Sequence, residues 1–155
     1  MKRKLKWISA GCLAVFALLQ FTNPPRTNPP VIHDLMAMNP PPPEIAGLLR
    51  AACYDCHSHE TRWPWYSRMA PMSWLVADDV DEGRKHLNLS AWPAGQPERA
   101  AGWLDRMSEE IEYQEMPPKK YTAIHADARL TDGERKELTD WLDAEAVRLN
   151  SRPGK

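Results

Sequence analysis

Four stretches of this chain repeat apolar residues every three or four positions, the spacing that places them on one face of an α-helix. These stretches begin near Pro43, Pro71, Pro97 and Thr131. The last one opens with Thr131-Asp132-Gly133-Glu134, a capping box that marks a helix N-terminus. No stretch alternates apolar and polar residues as a half-buried strand does. The pattern predicts an all-α domain of about four helices over residues 43–150, with 151–155 as a tail.

Residues 1–22 follow a different pattern, a basic start and then an apolar run. The run extends from Trp7 to Phe21, and only Ser9 and Gln20 are polar interruptions. This order is typical of an export segment whose basic end stays in the cytoplasm. No small-x-small cleavage site follows the run, so we expect an uncleaved signal anchor, with a cleaved signal peptide as the alternative. In both cases the domain is expected on the periplasmic side of the cytoplasmic membrane.

The segment between the apolar run and the first predicted helix is rich in proline. Eight prolines lie between Asn23 and Pro43. Such a composition favours the extended polyproline II conformation, which predicts that residues 23–42 are a stiff linker. Such a linker can also pack partly on the domain through its apolar residues, which are Val31, Ile32, Leu35 and Met36. The functional alternative is a ligand for a proline-recognition domain.

Cys53-Tyr54-Asp55-Cys56-His57 is the most specific motif of the chain, because it places three uncommon residues within five positions. This spacing is that of a covalent haem attachment site. Two thiols one short turn apart can each add to a vinyl group of haem, and the adjacent imidazole is then held over the iron. The motif also ends an apolar helix face that begins at Ile45, so both thiols are expected to face the interior. We therefore expect Cys53 and Cys56 to bind haem c and His57 to be the proximal iron ligand.

Two other chemistries use cysteines at this spacing. A thioredoxin-like redox pair belongs near a βαβ pattern, and the surroundings of Cys53 do not alternate as a strand would. A structural zinc site needs four nitrogen or sulfur ligands, usually with a second closely spaced pair. The other histidines of the chain lack that spacing; they are His33, His59, His86 and His125. Zinc binding and thiol redox chemistry remain the alternatives to haem.

A haem that carries electrons commonly has a second protein ligand on the iron. Met116 is the expected ligand, because Glu115-Met116-Pro117-Pro118 presents its thioether on a stiff loop just past a helix end. His86 and His125 are alternatives that would give bis-histidine coordination. Met72 and Met107 lie on apolar helix faces, where core packing is the ordinary role of methionine.

Aromatic and charged residues near these positions suggest the surroundings of the haem. Trp63-Pro64-Trp65-Tyr66 is too stiff for a helix interior and is expected either to cover a porphyrin face or to fill an ordinary core. Arg62 and Arg68 are candidates to pair with haem propionates, and Lys119 and Lys120 to form a docking rim; solvated surface charges are the alternative for all four. The net charge of −1 argues against a nucleic-acid partner, which leaves a redox protein as the expected one.

The motif and several further segments resemble the bacterial haem-binding domain family. These segments are ETRWPWY at 60–66, HLNLSAW at 86–92, EMPPKKY at 115–121 and ARLT at 128–131. The resemblance implies a membrane-anchored, haem-binding single domain similar to c-type cytochromes. The order of helix, attachment motif, loops, methionine and final helix is also similar to that of class I cytochromes c.

The function expected from these observations is that of a monohaem c-type cytochrome, which transfers single electrons in the periplasm and is not an enzyme. The alternative is a haem enzyme, for example a peroxidase-like protein, or a gas sensor. In these alternatives the distal side of the iron is open to a small molecule, whereas in a carrier a side chain closes it.

Overall fold

A computed structural model describes residues 2–151, so the predicted tail lies outside the described residues apart from Ser151. The regular structure of the described part is helical, which confirms the predicted all-α class. Short 3₁₀ turns lie at Gln20–Thr22, Trp65–Arg68 and Ala126–Ala128. In chain order the α-helices are α1 (Lys2–Leu19), α2 (Leu35–Met38), α3 (Pro43–Ala52), α4 (Tyr54–His57), α5 (Met72–His86), α6 (Pro97–Glu112), α7 (Lys119–Thr122) and α8 (Asp132–Asn150).

The four helices predicted from periodicity are α3, α5, α6 and α8, and each begins within one residue of its predicted start. Pro43 and Pro97 stand at the beginning of α3 and α6, where a missing N–H breaks no helical hydrogen bond. At α8 the Glu134 N–H donates to the Thr131 hydroxyl, and the Thr131 N–H donates to the Glu134 carboxylate. This capping box stabilises the helix by about 1 kcal/mol.

The core lies mainly between α6 and α8, and α3 packs across one end of this pair. Small residues at Ala100 and Ala101 let the two long helices approach closely, while large side chains fill the rest of the contact. Each fully buried leucine contributes about 1.5–3 kcal/mol through the hydrophobic effect. The fully buried leucines of this core are Leu35, Leu49, Leu89, Leu104, Leu138 and Leu142.

The proline-rich segment is packed on the domain over much of its length. The Asn28 side chain donates to the Thr61 carbonyl at 3.0 Å, and the Ile32 N–H donates to the Ser90 carbonyl at 3.0 Å. Leu35, in the middle of the segment, is fully buried. Asp34 caps α2 and accepts a hydrogen bond from the Tyr54 hydroxyl. Of the four apolar residues expected to pack on the domain, Leu35 and Met36 do so, whereas Val31 and Ile32 are exposed.

α1 differs from every other long helix because none of its residues is buried in the domain. Together with the turn that follows, it forms one helix from Lys2 to Thr22 that is long and apolar enough to cross a membrane. By length and composition it could equally be a signal sequence, since both share these properties.

Candidate haem site

The attachment motif lies at the junction of α3 and α4. α3 ends at Ala52, and the Cys53 N–H still donates to the Leu49 carbonyl at 2.9 Å. A second turn then begins, in which the His57 N–H donates to the Cys53 carbonyl at 2.9 Å. The sequence predicted one helical face running through Cys56, but the structure breaks the helix at Cys53, whose φ of −121° is not helical. The break turns the chain so that Tyr54 enters the core.

A cavity of about 590 Å³ opens beside this junction. Cys53, Cys56, His57 and Met116 all line it, although Met116 comes from a distant part of the chain. The volume falls in the range of cofactor sites, about 300–1,000 Å³. The fold therefore brings all four residues predicted to bind haem to a single cavity. Its other walls come from α5, α6 and the segment around α7, and include Gly83, His86, Trp103, Arg106, Met107, Ile111, Lys120 and Tyr121.

Two backbone carbonyls orient the His57 ring. Its Nδ1 lies 2.9 Å from the Gly83 oxygen and 3.1 Å from the Leu87 oxygen, both at the end of α5. Because carbonyl oxygens only accept hydrogen bonds, Nδ1 carries the proton and Nε2 keeps its lone pair. Burial lowers the pKa of His57, which favours the neutral ring. A neutral imidazole fixed through Nδ1 is the form in which histidine binds a metal through Nε2.

Gly83 allows α5 to approach the attachment junction. A Cβ at this position would lie 2.7 Å from the Cys56 carbonyl oxygen and 3.0 Å from its carbon. Ordinary Cβ atoms do not come that close to backbone, so any larger residue would push α5 away from His57. From the sequence alone, a glycine at this position in α5 predicts only a weakened helical turn. Its role depends on a contact between segments 27 residues apart, which periodicity does not reveal.

Both thiols of the motif are in their protonated form. Burial, with a smaller contribution from Cys56, raises the pKa of Cys53 to about 12. Burial and the charges of Asp79 and Asp55 raise the pKa of Cys56 to about 11. Both cysteines are only partly covered by protein and line the cavity, so a cofactor in the cavity could reach them.

Met116 reaches the cavity because of the way α6 ends. Gln114 has a φ of +59°, the left-handed conformation in which many helices stop. The Glu115 and Met116 N–H groups then both donate to the Glu110 carbonyl, at 3.0 and 3.1 Å. This turn directs the chain back along α6 and leaves the Met116 side chain about one third exposed.

The structure distinguishes the two histidines that are alternatives to Met116 as the distal ligand. His86 lines the cavity, but its side chain is mostly exposed and lies 3.6 Å from Glu82. His125 is absent from the described cavity lining. Its ring stacks on Tyr121 at 4.0 Å, and its two nitrogens lie near the Tyr66 hydroxyl and the Tyr121 carbonyl. Within the described residues, His86 is thus the better placed of the two for coordination.

Asp55, between the two cysteines, links the motif to the methionine segment. Its carboxylate accepts a hydrogen bond from the Tyr121 hydroxyl at 2.9 Å. It also accepts hydrogen bonds from Nε, Nη2 and the backbone N–H of Arg62. Burial and the nearby charge of Asp55 both raise the pKa of Tyr121, which keeps its hydroxyl protonated and able to donate. The sequence does not indicate this connection, because Tyr121 lies 66 positions from Asp55.

Two expectations about the surroundings do not match the described cavity. The Trp63–Tyr66 segment does not line it: Trp65 is 71% exposed, and the Trp63 indole N–H donates to Asn28. Arg62 is engaged by Asp55, and neither Arg62 nor Arg68 lines the cavity. The segment instead packs on the N-terminal part of the chain, a long-range contact that local composition could not indicate. The aromatic and cationic groups that do line the cavity are Trp103, Tyr121, Arg106 and Lys120.

A helical domain with two thiols, an imidazole and a thioether around one cavity has the features of a haem protein. The chain belongs to the haem-binding domain family, whose model matches residues 14–144. Haem is therefore the cofactor of this domain, and the resemblance seen in the sequence is confirmed.

One similar protein is a cytochrome c peroxidase, Ccp, of Escherichia coli (strain K12). The two chains are 30% identical over 104 residues, which cover 64% of this chain. The aligned part is only 22% of the peroxidase, so this chain spans about a fifth of the length of that relative. No solved structure matches this chain significantly.

Proposed function

We propose that this protein is a monohaem c-type cytochrome that carries single electrons. In this proposal Cys53 and Cys56 hold the haem covalently, His57 is the proximal ligand through Nε2, and Met116 is the distal ligand. α1 anchors the domain to the periplasmic face of the bacterial inner membrane, and a redox protein is the partner.

The observation that carries the proposal is the meeting of the four residues at one cavity of cofactor size. The orientation of His57 adds to it, because a ring fixed by carbonyls at Nδ1 presents Nε2 without further rearrangement. A structural zinc site needs four ligands, whereas no group of three or more His, Cys, Asp or Glu side chains within residues 2–151 is arranged to hold a metal ion. The donor set and its environment therefore suit haem better than zinc.

Each side chain of the cavity has a defined task in this proposal. Each thiol adds across one vinyl group, forming a C–S bond while its hydrogen goes to the other vinyl carbon. Arg106 offers a cationic donor for a propionate, while Lys120, which also lines the cavity, is ion-paired with Asp79. Trp103 and Ile111 supply apolar walls that exclude water. The bound haem supplies the redox-active iron, and the protein sets its ligands and its dielectric surroundings.

A peroxidase-like activity is the second candidate, and two observations favour it. The similar protein named above is a cytochrome c peroxidase, although only a fifth of its length is matched. Met116 is about one third exposed and lies on a loop, so the distal position is the less firmly built part of the site. An exchangeable Met116 would leave the iron open to a small ligand.

The test uses the full chain, produced together with haem-maturation machinery and purified in detergent. The mass of the denatured polypeptide and a pyridine haemochrome spectrum report whether haem is attached and by how many thioethers. We expect the added mass of one haem, two thioethers and a low-spin reduced spectrum that carbon monoxide does not change. Ready binding of carbon monoxide would favour the peroxidase-like candidate. A colourless chain without added mass would overturn covalent haem binding and return the motif to zinc or thiol chemistry.

A further inference from the structure

The end of α1 is fixed to the domain by side-chain hydrogen bonds. The Gln20 amide accepts from the Ala70 N–H at 3.0 Å and donates to the Ala70 carbonyl at 3.3 Å. The Trp74 indole N–H donates to the Thr22 carbonyl at 3.1 Å. The apolar helix therefore leaves the domain beside the segment between the Trp65–Arg68 turn and the first turns of α5.

That same segment exposes large apolar side chains, which we call the basal patch. Single exposed apolar residues occur on most protein surfaces. The residues of this patch, however, lie within eleven consecutive positions of the chain. Trp65 is 71% exposed and Leu75 is 56% exposed. The patch consists of Trp65, Met69, Met72, Trp74 and Leu75, and the exposed Phe21 lies at the adjoining end of α1.

The stretch of chain that carries the basal patch has few charges, and acidic residues adjoin it only at its α5 edge. Residues 63–77 contain no aspartate or glutamate, and their only charged residue is Arg68, which is exposed. Acidic residues appear only further along α5, beginning at Asp78 and Asp79. An apolar surface with tryptophans and a single cation suits the interface of a bilayer, where indole rings lie at headgroup level and cations meet lipid phosphates.

We propose that the basal patch lies on the lipid surface next to α1 and fixes the orientation of the domain on the membrane. This inference rests on the proposed role of α1 as a membrane anchor. The contacts of Gln20 and Trp74 place the patch where a bilayer would begin if α1 crosses it. A bilayer crossed by α1 would therefore reach the basal patch as well. This continuity favours lipid over a second protein as the occupant of the patch.

The experiment places the full haem-loaded chain in nanodiscs that contain a lipid with a photoactivatable group at headgroup level. After illumination, peptide mass spectrometry locates the labelled residues. We expect label in two places, residues 2–22 and residues 65–75. Label confined to 2–22 would overturn the basal patch and leave the anchor intact, whereas label in neither segment would overturn both proposals.

Variants make the result specific to the patch. Met72→Asp combined with Leu75→Asp should abolish label on residues 65–75 and leave label on 2–22 unchanged. The single exchange Trp65→Ser, at a more exposed site, should reduce label on the same peptide if the double variant folds poorly. The matched control is Ile124→Asp with Val147→Asp, two exposed apolar positions elsewhere on the domain, and should label as the parent does.

A second copy of the chain is the competing occupant of the patch. Nanodiscs that contain a single chain exclude contacts between copies. Their labelling pattern should match that of nanodiscs that contain several chains. If the patch is labelled by lipid only when single chains are isolated, and is protected when several are present, the second copy is the true occupant and the proposal is wrong.

Discussion

Two regions line the same cavity but are held in different ways. The attachment wall, which comprises Cys53–His57 and Gly83–Leu87, is fixed by backbone contacts. α5 touches the Cys56 carbonyl, and two α5 carbonyls hold the His57 ring. The methionine segment, Met116–Tyr121, is held to this wall by side chains, through Lys120 with Asp79 and Tyr121 with Asp55.

The difference indicates which part of the site decides the function. A wall built from backbone contacts presents His57 in one orientation, as a permanent ligand requires. The methionine segment is also bonded to α6 through the Met116 N–H and the Glu110 carbonyl. Its two polar side-chain contacts with the opposite side of the cavity can be broken at a cost of a few kcal/mol. The choice between an electron carrier and a peroxidase-like protein therefore depends on how well the methionine segment stays in place.

The largest effect on stability is expected from Gly83→Ala in the attachment wall. The new methyl group would overlap the Cys56 carbonyl, so the free energy of unfolding should fall by about 1–3 kcal/mol. Gly102→Ala is the matched control, because no atom lies within 4 Å of its Cβ position in α6. That exchange should stabilise the helix by up to about 1 kcal/mol. Urea denaturation of the haem-loaded variants measures both, and equal effects would show that the close approach of α5 is unimportant.

The next effect is a pH dependence of the haem-free chain. Burial raises the pKa of Cys53 to about 12 and of Cys56 to about 11, above the ordinary value of 9.0. Stability is fully present below pH 9 and is lost as pH rises toward these values, because the unfolded thiols release their protons first. We expect a loss of roughly 1–2 kcal/mol between about pH 9 and 10.

Two comparisons test this origin of the pH dependence. Thioethers do not titrate, so the haem-loaded chain should lack this loss. A haem-free Cys53→Ala and Cys56→Ala double variant should lack it as well. If the double variant loses as much stability as the parent over the same pH interval, other groups cause the dependence.

Tyr121→Phe tests the hold on the methionine segment. Loss of the hydrogen bond to Asp55 should lower the free energy of unfolding by about 1 kcal/mol. It should also speed carbon monoxide binding to the reduced protein if Met116 is the distal ligand. Tyr113→Phe, at a largely exposed residue, is the control and should change neither quantity. An unchanged rate with Tyr121→Phe would mean that this bond does not position the segment.

In the haem-free chain, Met116→Ala should have the smallest effect on stability, below about 1 kcal/mol, because the side chain is partly exposed. Its effect on the absorption spectrum of the haem-loaded chain should be complete, from low-spin to high-spin, with carbon monoxide now binding. Met38→Ala, at a similarly exposed methionine in α2, should leave the spectrum unchanged. If Met116→Ala also leaves it unchanged, the ligand is another residue, with His86 before His125.

The elements with a strong local signal were predictable from the sequence. Apolar periodicity located α3, α5, α6 and α8, and the Thr131 capping box marked the start of α8 to within a residue. The CxxCH motif and the proline-flanked Met116 pointed to one site because their chemistry is unusual at that spacing. Their roles as haem ligands remain predictions, although the fold places them at one cavity.

The features of the fold and of the site that the sequence did not predict depend on contacts between distant parts of the chain. The carbonyls of Gly83 and Leu87 orient His57 only because α5 packs against α4. Trp63 and Trp65 were candidates to cover a flat cofactor, but the Trp63 indole bonds to Asn28 in the N-terminal segment and the Trp65 ring is mostly exposed. Residue type indicates which side chains can cover a porphyrin, whereas only the tertiary arrangement decides that Trp103 and Tyr121 line the cavity instead.

The packed N-terminal segment has a consequence for how the protein meets others. From Gln20 to Leu35 the chain is repeatedly hydrogen-bonded to the domain, so this segment is not a flexible linker. If α1 crosses a membrane, as proposed, a domain held this way keeps one orientation relative to its anchor. A redox partner would then have to place its own redox centre at the same distance from the membrane as the cavity. The size of the partner would therefore contribute to its recognition.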